Sequence, residues 1–204
     1  MEFETWLKLV ALFMAGGLTP GPAVMLVLAS AFRYGFRPAM LAALGIASAN
    51  VIWLALAASG AMALIAVYPK AFFTLKIIGL CVIIYLAMST IFGPLPNAEA
   101  AADDAPPRAK LYSRGLALQI SSPMPLVYFG LLLPVYFNAS APLAPQVLIM
   151  FLTVTATELI GLAAYAYGAE RIKQFLRGPR AARAFNIIIG CVMIISGLWA
   201  VLSS

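Results

Sequence analysis

Thr19-Pro20-Gly21-Pro22 stands in the middle of an apolar run that extends from Trp6 to Phe32. Each proline removes a backbone donor and clashes with the preceding turn, so a helix interior rarely holds two of them. Within a membrane such a break is tolerated only where the freed carbonyls face protein or water, which points to a cavity at mid-depth. The pattern recurs at Ser122-Pro123-Met124-Pro125, again inside an apolar run. The two stretches read as paired broken helices.

Composition sets the class. The 204 residues are 64% hydrophobic and 10% charged, with a mean hydropathy of +1.00. A soluble domain is roughly 45–50% apolar, so this is an integral membrane protein. At about 20 apolar residues per spanning helix, the length accommodates about six spans with short loops and no separate soluble domain. The net charge of +6 sits in loops as a topology signal, which argues against a nucleic-acid partner. Glu2 and Glu4 lead into a long first run, unlike the positive start and short apolar core of a cleaved signal peptide. Cys81 and Cys191 are the only cysteines and histidine is absent, which disfavours a disulfide framework or a Cys/His metal site. Both thiols lie in apolar runs and are expected to be buried as small apolar side chains.

Working outward, the second run spans Ala39 to about Val67 with Asn50 at its middle, and the third spans Ala71 to Phe92. Residues 94–114, rich in Ala, Pro and charge, read as a mobile linker. The fourth run is Gly115 to Phe137, broken at Ser122-Pro123-Met124-Pro125, the fifth is Gln146 to Gly168 with Glu158 near its centre, and the sixth is Phe185 to Leu202. Between the last two lies a basic segment with Arg171, Lys173, Arg177, Arg180 and Arg183. Counted over alternate loops, ten Lys and Arg fall on one side of the membrane, whereas the other has only Lys8 and Lys70 near its boundaries. Positive charge is retained in the cytoplasm, so both termini are expected outside it.

The expected fold is therefore an all-α integral membrane protein of six transmembrane helices, in one transmembrane domain over 1–204. Repeat 1 covers about 1–93, the linker 94–114 and repeat 2 about 115–204. Three helices on each side of the linker make the second half enter from the opposite face, the arrangement of inverted-repeat transporters.

Thr19-Pro20-Gly21-Pro22, Arg33-Tyr34-Gly35 and Ala42-Ala43-Leu44-Gly45 together resemble the N-terminal signature of the LysE/RhtB family of amino-acid exporters. The resemblance continues in Leu75-Lys76-Ile77-Ile78-Gly79, in Tyr85-Leu86, in the proline-containing fourth span, and in the basic loop followed by Asn186 and Gly190. It implies six spans, no prosthetic group, and ion-driven efflux of amino acids or related small metabolites across the bacterial inner membrane. Two departures bear on substrate. Where many relatives carry Gly-Asp in the second span this chain has Ala49-Asn50, and where they carry Asn-Pro-Lys in the fourth it has Ser122-Pro123-Met124.

The candidate site follows from depth. Pro20, Asn50, Pro123 and Glu158 all fall near the centres of their spans. Glu158 is the only acid in any span, and a charge at mid-membrane usually faces the bundle interior with a task. It is read as a proton carrier or as the partner of a substrate ammonium group. The bland alternative is a neutral side chain bonded to Thr155, Asn50 or a freed carbonyl. Asn50 offers a donor and an acceptor to a zwitterion, or simply joins two helices. At the breaks, Thr19, Pro20, Gly21 and Pro22, with Ser122, Pro123 and Pro125, present hydroxyls, unpaired carbonyls and half-helix ends for an ammonium, a cation or a carboxylate. No Ser/His/Asp set, carboxylate pair or phosphate loop suggests an enzyme, and no metal site or cofactor is expected. The partners expected are a small-molecule substrate and the bilayer, and a homodimer would be unsurprising. Alternatives are a membrane thiol-redox carrier, a non-transporting membrane protein and an exporter of metal ions on the same scaffold.

Overall fold

The computed structural model describes residues 3–59, 69–93, 106–122, 125, 128–129, 133–136, 138, 141–173 and 178–202. Pro123 and Met124 of the second break lie outside the described residues. The described secondary structure is entirely helical: α1 (Phe3–Leu18), α2 (Pro22–Tyr34), α3 (Phe36–Ala58), α4 (Pro69–Ile91), α5 (Arg108–Ser121), α6 (Leu143–Lys173) and α7 (Pro179–Leu202), with a 3-10 turn at Leu133–Tyr136.

The first break forms where the prolines demand it. Residues 19–21 leave the helix, Pro22 takes the first position of α2 where its missing N–H costs nothing, and the two halves are bent by 58°. α2 and α3 are separated by Gly35 alone, at φ +90, a conformation open to glycine and costly for other residues. Its N–H closes α2 on the Ala31 carbonyl at 2.8 Å.

Among the described residues, α3 and Leu143–Ile172 are each long and apolar enough to cross a membrane, and the α1/α2 pair qualifies as one broken span. The outer surface is what a bilayer requires. Ile77, Ile78, Ile84 and Tyr85 on α4, and Ile187, Ile188 and Ile195 on α7, are large, apolar and exposed. Cys81 and Cys191 share these outer faces and are exposed, so the expectation of buried thiols is corrected. Residues that are apolar all round carry no signal for which face turns outward.

Two more boundaries differ from the sequence reading. α5 begins at Arg108, so the last seven residues of the expected linker are helical; Leu111 is buried there, and helix propensity prevails over the local charge. The described ends of the basic segment are also helical, with Arg171 in the last turns of α6 and Arg180 and Arg183 in the first turns of α7; Arg177 lies outside the described residues.

Glycines set the close crossings. A Cβ on Gly45 would run into the Tyr112 carbonyl oxygen, and one on Gly115 into the Ala42 carbonyl, so α3 and α5 meet backbone to backbone. α1 and α6 meet at Gly17 and Gly161, where a Cβ on Gly161 would lie 3.0 Å from the Gly17 carbonyl oxygen. The closeness that glycine permits in a membrane is a source of dispersion contact in its own right.

Side chains bury into two apolar clusters. One joins Val24 to Phe32 of α2, Ala39 to Ile46 of α3, Leu118 of α5, Leu162 and Ala166 of α6, and residues of α4 and α7. The other joins Leu9 and Phe13 of α1, Trp53 and Leu54 of α3, Phe129, Leu133, and Met150 and Val154 of α6.

Gly115→Ala should therefore destabilise the protein by about 1–3 kcal/mol, the usual cost of overpacking. Gly168→Ala, where an added Cβ meets nothing within 4 Å, should be neutral or slightly stabilising. Thermal unfolding of both variants in detergent checks the pair, and equal midpoints would contradict the crossing.

Candidate functional site

The two apolar clusters meet at one layer, and the polar side chains lie in it. On α3, Asn50 sits between Ile46 of one cluster and Trp53 of the other; on α6, Glu158 sits between Leu162 and Val154. On the fourth run, Gln119 and Ser122 fall between Leu118 and Phe129, and on the first, the break falls between Phe13 and Val24. The four irregular or polar features thus share a layer bounded by hydrocarbon on both sides.

Within that layer the Asn50 amide nitrogen donates to Glu158 Oε2, joining α3 to α6. Gln119 Nε2 donates to Asn50 Oδ1 at 2.7 Å, joining α5 to the same pair. The Gln119 backbone carbonyl accepts from the Trp53 indole N–H at 3.1 Å and from the Ser122 backbone N–H at 3.4 Å. A line of hydrogen bonds therefore runs from Glu158 through Asn50 to the Gln119 side chain, and the backbone of the same Gln119 accepts from Ser122, the residue that opens the second break. Asn50 is 2% exposed and Gln119 9%, so neither amide can turn to water for a replacement partner. Their pairing is obligatory. Of the partners weighed for Glu158 from sequence, Asn50 is the one found.

The first break reaches the same carboxylate through backbone. A Cβ on Gly17 would lie 3.7 Å from the Thr157 carbonyl oxygen and 3.9 Å from Glu158 Cα, so the end of α1 runs directly beside Glu158. Tyr128, beyond the second break, stands against Gly16, and Phe13 packs on both Tyr128 and Phe129 with ring centroids 5.9 and 5.8 Å apart. The two broken segments therefore pack on each other. α2 begins without a side-chain cap, and its first bond runs from the Met25 N–H to the Gly21 carbonyl at 2.9 Å. The N–H groups of Ala23 and Val24 precede that bond and have no partner among the described residues, the first-turn arrangement that suits an anion.

The predicted residues are placed unequally. Asn50 and Glu158 bond directly, Ser122 joins them through Gln119, and Gly21 and Pro22 are partly buried at the start of α2. Pro125 is buried. The Thr19 hydroxyl is committed to the Ala15 carbonyl at 2.7 Å, and Thr19 and Pro20 are exposed, so these two shape the bend without entering the line of bonds. Gln119 was missed by the sequence reading. Its signal was present: a lone amide in an apolar run, three residues before Ser122.

The chain matches the LysE type translocator family over residues 14–204. It belongs to that family. The translocator is similar to two proteins named homoserine/homoserine lactone efflux protein: one of Salmonella typhimurium, 24% identical over 97% of this chain and 96% of the relative, and one of Salmonella typhi, 25% identical over the same shares. It also resembles an uncharacterized membrane protein of Vibrio cholerae, 21% identical over 97% of each chain. No solved structure matches it significantly. It is thus a multi-pass membrane transporter and not an enzyme.

Gln119→Leu leaves the buried Asn50 carbonyl unpaired and should cost about 1–3 kcal/mol of stability. Adding Asn50→Leu should cost less than the sum of the single changes, with a coupling of about 0.5–3 kcal/mol. Unfolding midpoints of the four proteins in the cycle give that number, and strict additivity would show that the amides do not act as a unit.

Proposed function

We propose that this translocator is a secondary exporter of amino acids or closely related small metabolites across the bacterial inner membrane, coupled to the proton gradient through Glu158. The observation that carries the reading is the carboxylate held by Asn50, itself held by Gln119, beside the end of α1 at the first helix break. Apolar packing above and below that layer suits a site occluded from both sides of a membrane. Among the described residues no cation pairs with Glu158, which leaves its carboxylate able to receive a substrate ammonium or a proton. A substrate ammonium would take the position of the Asn50 amide, and Asn50 would then be free to bond elsewhere on the substrate. The uncapped first turn of α2 supports a role in meeting a substrate carboxylate.

The relatives' printed substrates are consistent with this chemistry. Homoserine and its lactone share an ammonium group and differ in the carboxylate, so a site built around one acid serves both. Six spans in two inverted repeats, over about 1–93 and 115–204, complete the proposal. The pairing of the two breaks supports that arrangement. Both termini would lie outside the cytoplasm, since Arg33, Arg37, Arg108, Lys110, Arg114 and the Arg171 to Arg183 segment share one side.

Efflux of labelled homoserine, homoserine lactone and a panel of amino acids from preloaded proteoliposomes tests the reading, with and without an imposed pH gradient. The expected result is gradient-stimulated efflux by the wild type and loss of that stimulation in Glu158→Gln. Normal gradient-driven export by Glu158→Gln would remove Glu158 from the coupling step. Absence of transport by folded wild type across the whole panel would overturn the substrate class.

A further inference from the structure

We propose that Arg33, Arg114 and Arg183 form a binding site for a phosphate-bearing anion, apart from the transport layer. The three guanidinium groups come from the last turn of α2, from α5 and from the start of α7, and those of Arg33 and Arg183 meet at Gly93, where α4 ends. Arg183 Nη1 donates to the Ile91 carbonyl at 2.7 Å and to the Gly93 carbonyl at 3.1 Å, closing the open end of that helix. Arg33 Nη1 also stands beside Gly93, close enough that a Cβ there would meet it. Arg114 is near enough for its charge, like that of Arg183, to act repulsively on Arg33.

The cluster is incompletely satisfied. Arg183 has helix-end carbonyls, whose partial negative charge suits a cation. Arg33 and Arg114 have no such partner: both are partly buried, and among the described residues neither donates a hydrogen bond or pairs with a carboxylate. The Arg33 guanidinium lies over the Tyr34 ring, 5.2 Å from its centroid, which occupies its face and leaves its edge donors unused. Glu170 lies against Gly35 and makes no ion pair among the described residues. Three cations from three helices, with no carboxylate paired to them among the described residues, are mutually repulsive, and an anion relieves that repulsion. The guanidinium fork matches phosphate oxygens in a bidentate manner.

Such a ligand has two sources: the headgroup of an anionic phospholipid, or a free phosphate-bearing solute. A basic cluster at a membrane boundary faces anionic headgroups directly. The site would clamp the loop ends of α2, α4, α5 and α7 together at one face of the bundle.

Detergent-purified protein is titrated with phosphatidylglycerol, phosphatidylcholine and inorganic phosphate, and thermal unfolding is followed for wild type, Arg33→Gln, Arg114→Gln and the control Arg180→Gln, whose residue is exposed and outside the cluster. The expected result is stabilisation of wild type and Arg180→Gln by phosphatidylglycerol over phosphatidylcholine. Apparent affinity should fall about tenfold or more in each cluster variant, as removal of a charged hydrogen-bond donor implies. A matching response to inorganic phosphate assigns the site to a free anion, and a response to lipid alone assigns it to a headgroup. If neither anion stabilises, or if Arg33→Gln and Arg114→Gln respond as wild type does, the proposal is overturned. Should the glutamine variants not fold, Arg114→Lys keeps the charge and loses the fork: a weakened response supports the site and an unchanged one overturns it.

Discussion

A carboxylic acid inside a hydrocarbon-facing bundle must find hydrogen-bonding partners, and the interior is arranged around that requirement. Placing a charge at mid-membrane costs roughly 2.5–3.5 kcal/mol on insertion scales, so Glu158 needs compensation from side chains on other helices. Asn50 of α3 supplies it, and Gln119 of α5 in turn occupies the Asn50 carbonyl. Asn50 both gives and receives and Gln119 gives, so three helices are held in a single register by buried amides.

Glycine makes this register reachable. Short amide side chains bridge helices only when the backbones are close, and Gly45 against Tyr112, with Gly115 against Ala42, brings α3 and α5 into direct contact. Gly17 and Gly161 do the same for α1 and α6 beside Glu158. Small residues and polar residues therefore act in concert: the first set the separation, and the second are satisfied because of it. The first helix break lies beside this layer, since proline frees backbone groups and only an interior that already holds polar partners accommodates them.

This arrangement suits a transporter whose central layer must be both occluded and polar. Apolar clusters lie on either side, while the layer between them contains a carboxylate, two amides and the uncapped start of α2. A line of hydrogen bonds from Glu158 to Gln119 connects the carboxylate to the helix end that precedes the second break, and the Gly17 contact connects it to the first.

Much of this was legible in the residues. The apolar runs, the proline breaks and the depth of Asn50 and Glu158 are one-dimensional properties, because bilayer thickness and proline stereochemistry act on a segment wherever it sits. The membrane class and the family resemblance needed nothing more. Which residues meet is a different kind of quantity. Gln119 could be seen as a lone amide, but its bond to Asn50 depends on a glycine crossing between segments 69 residues apart. The outward turn of Cys81 and Cys191, and the helical start of α5 at Arg108, likewise follow from which face finds a neighbour. Local chemistry alone determined what the chain must avoid in a bilayer; the packing of helices decided which polar group satisfies which, because hydrogen bonds require contact and contact is set by the tertiary structure.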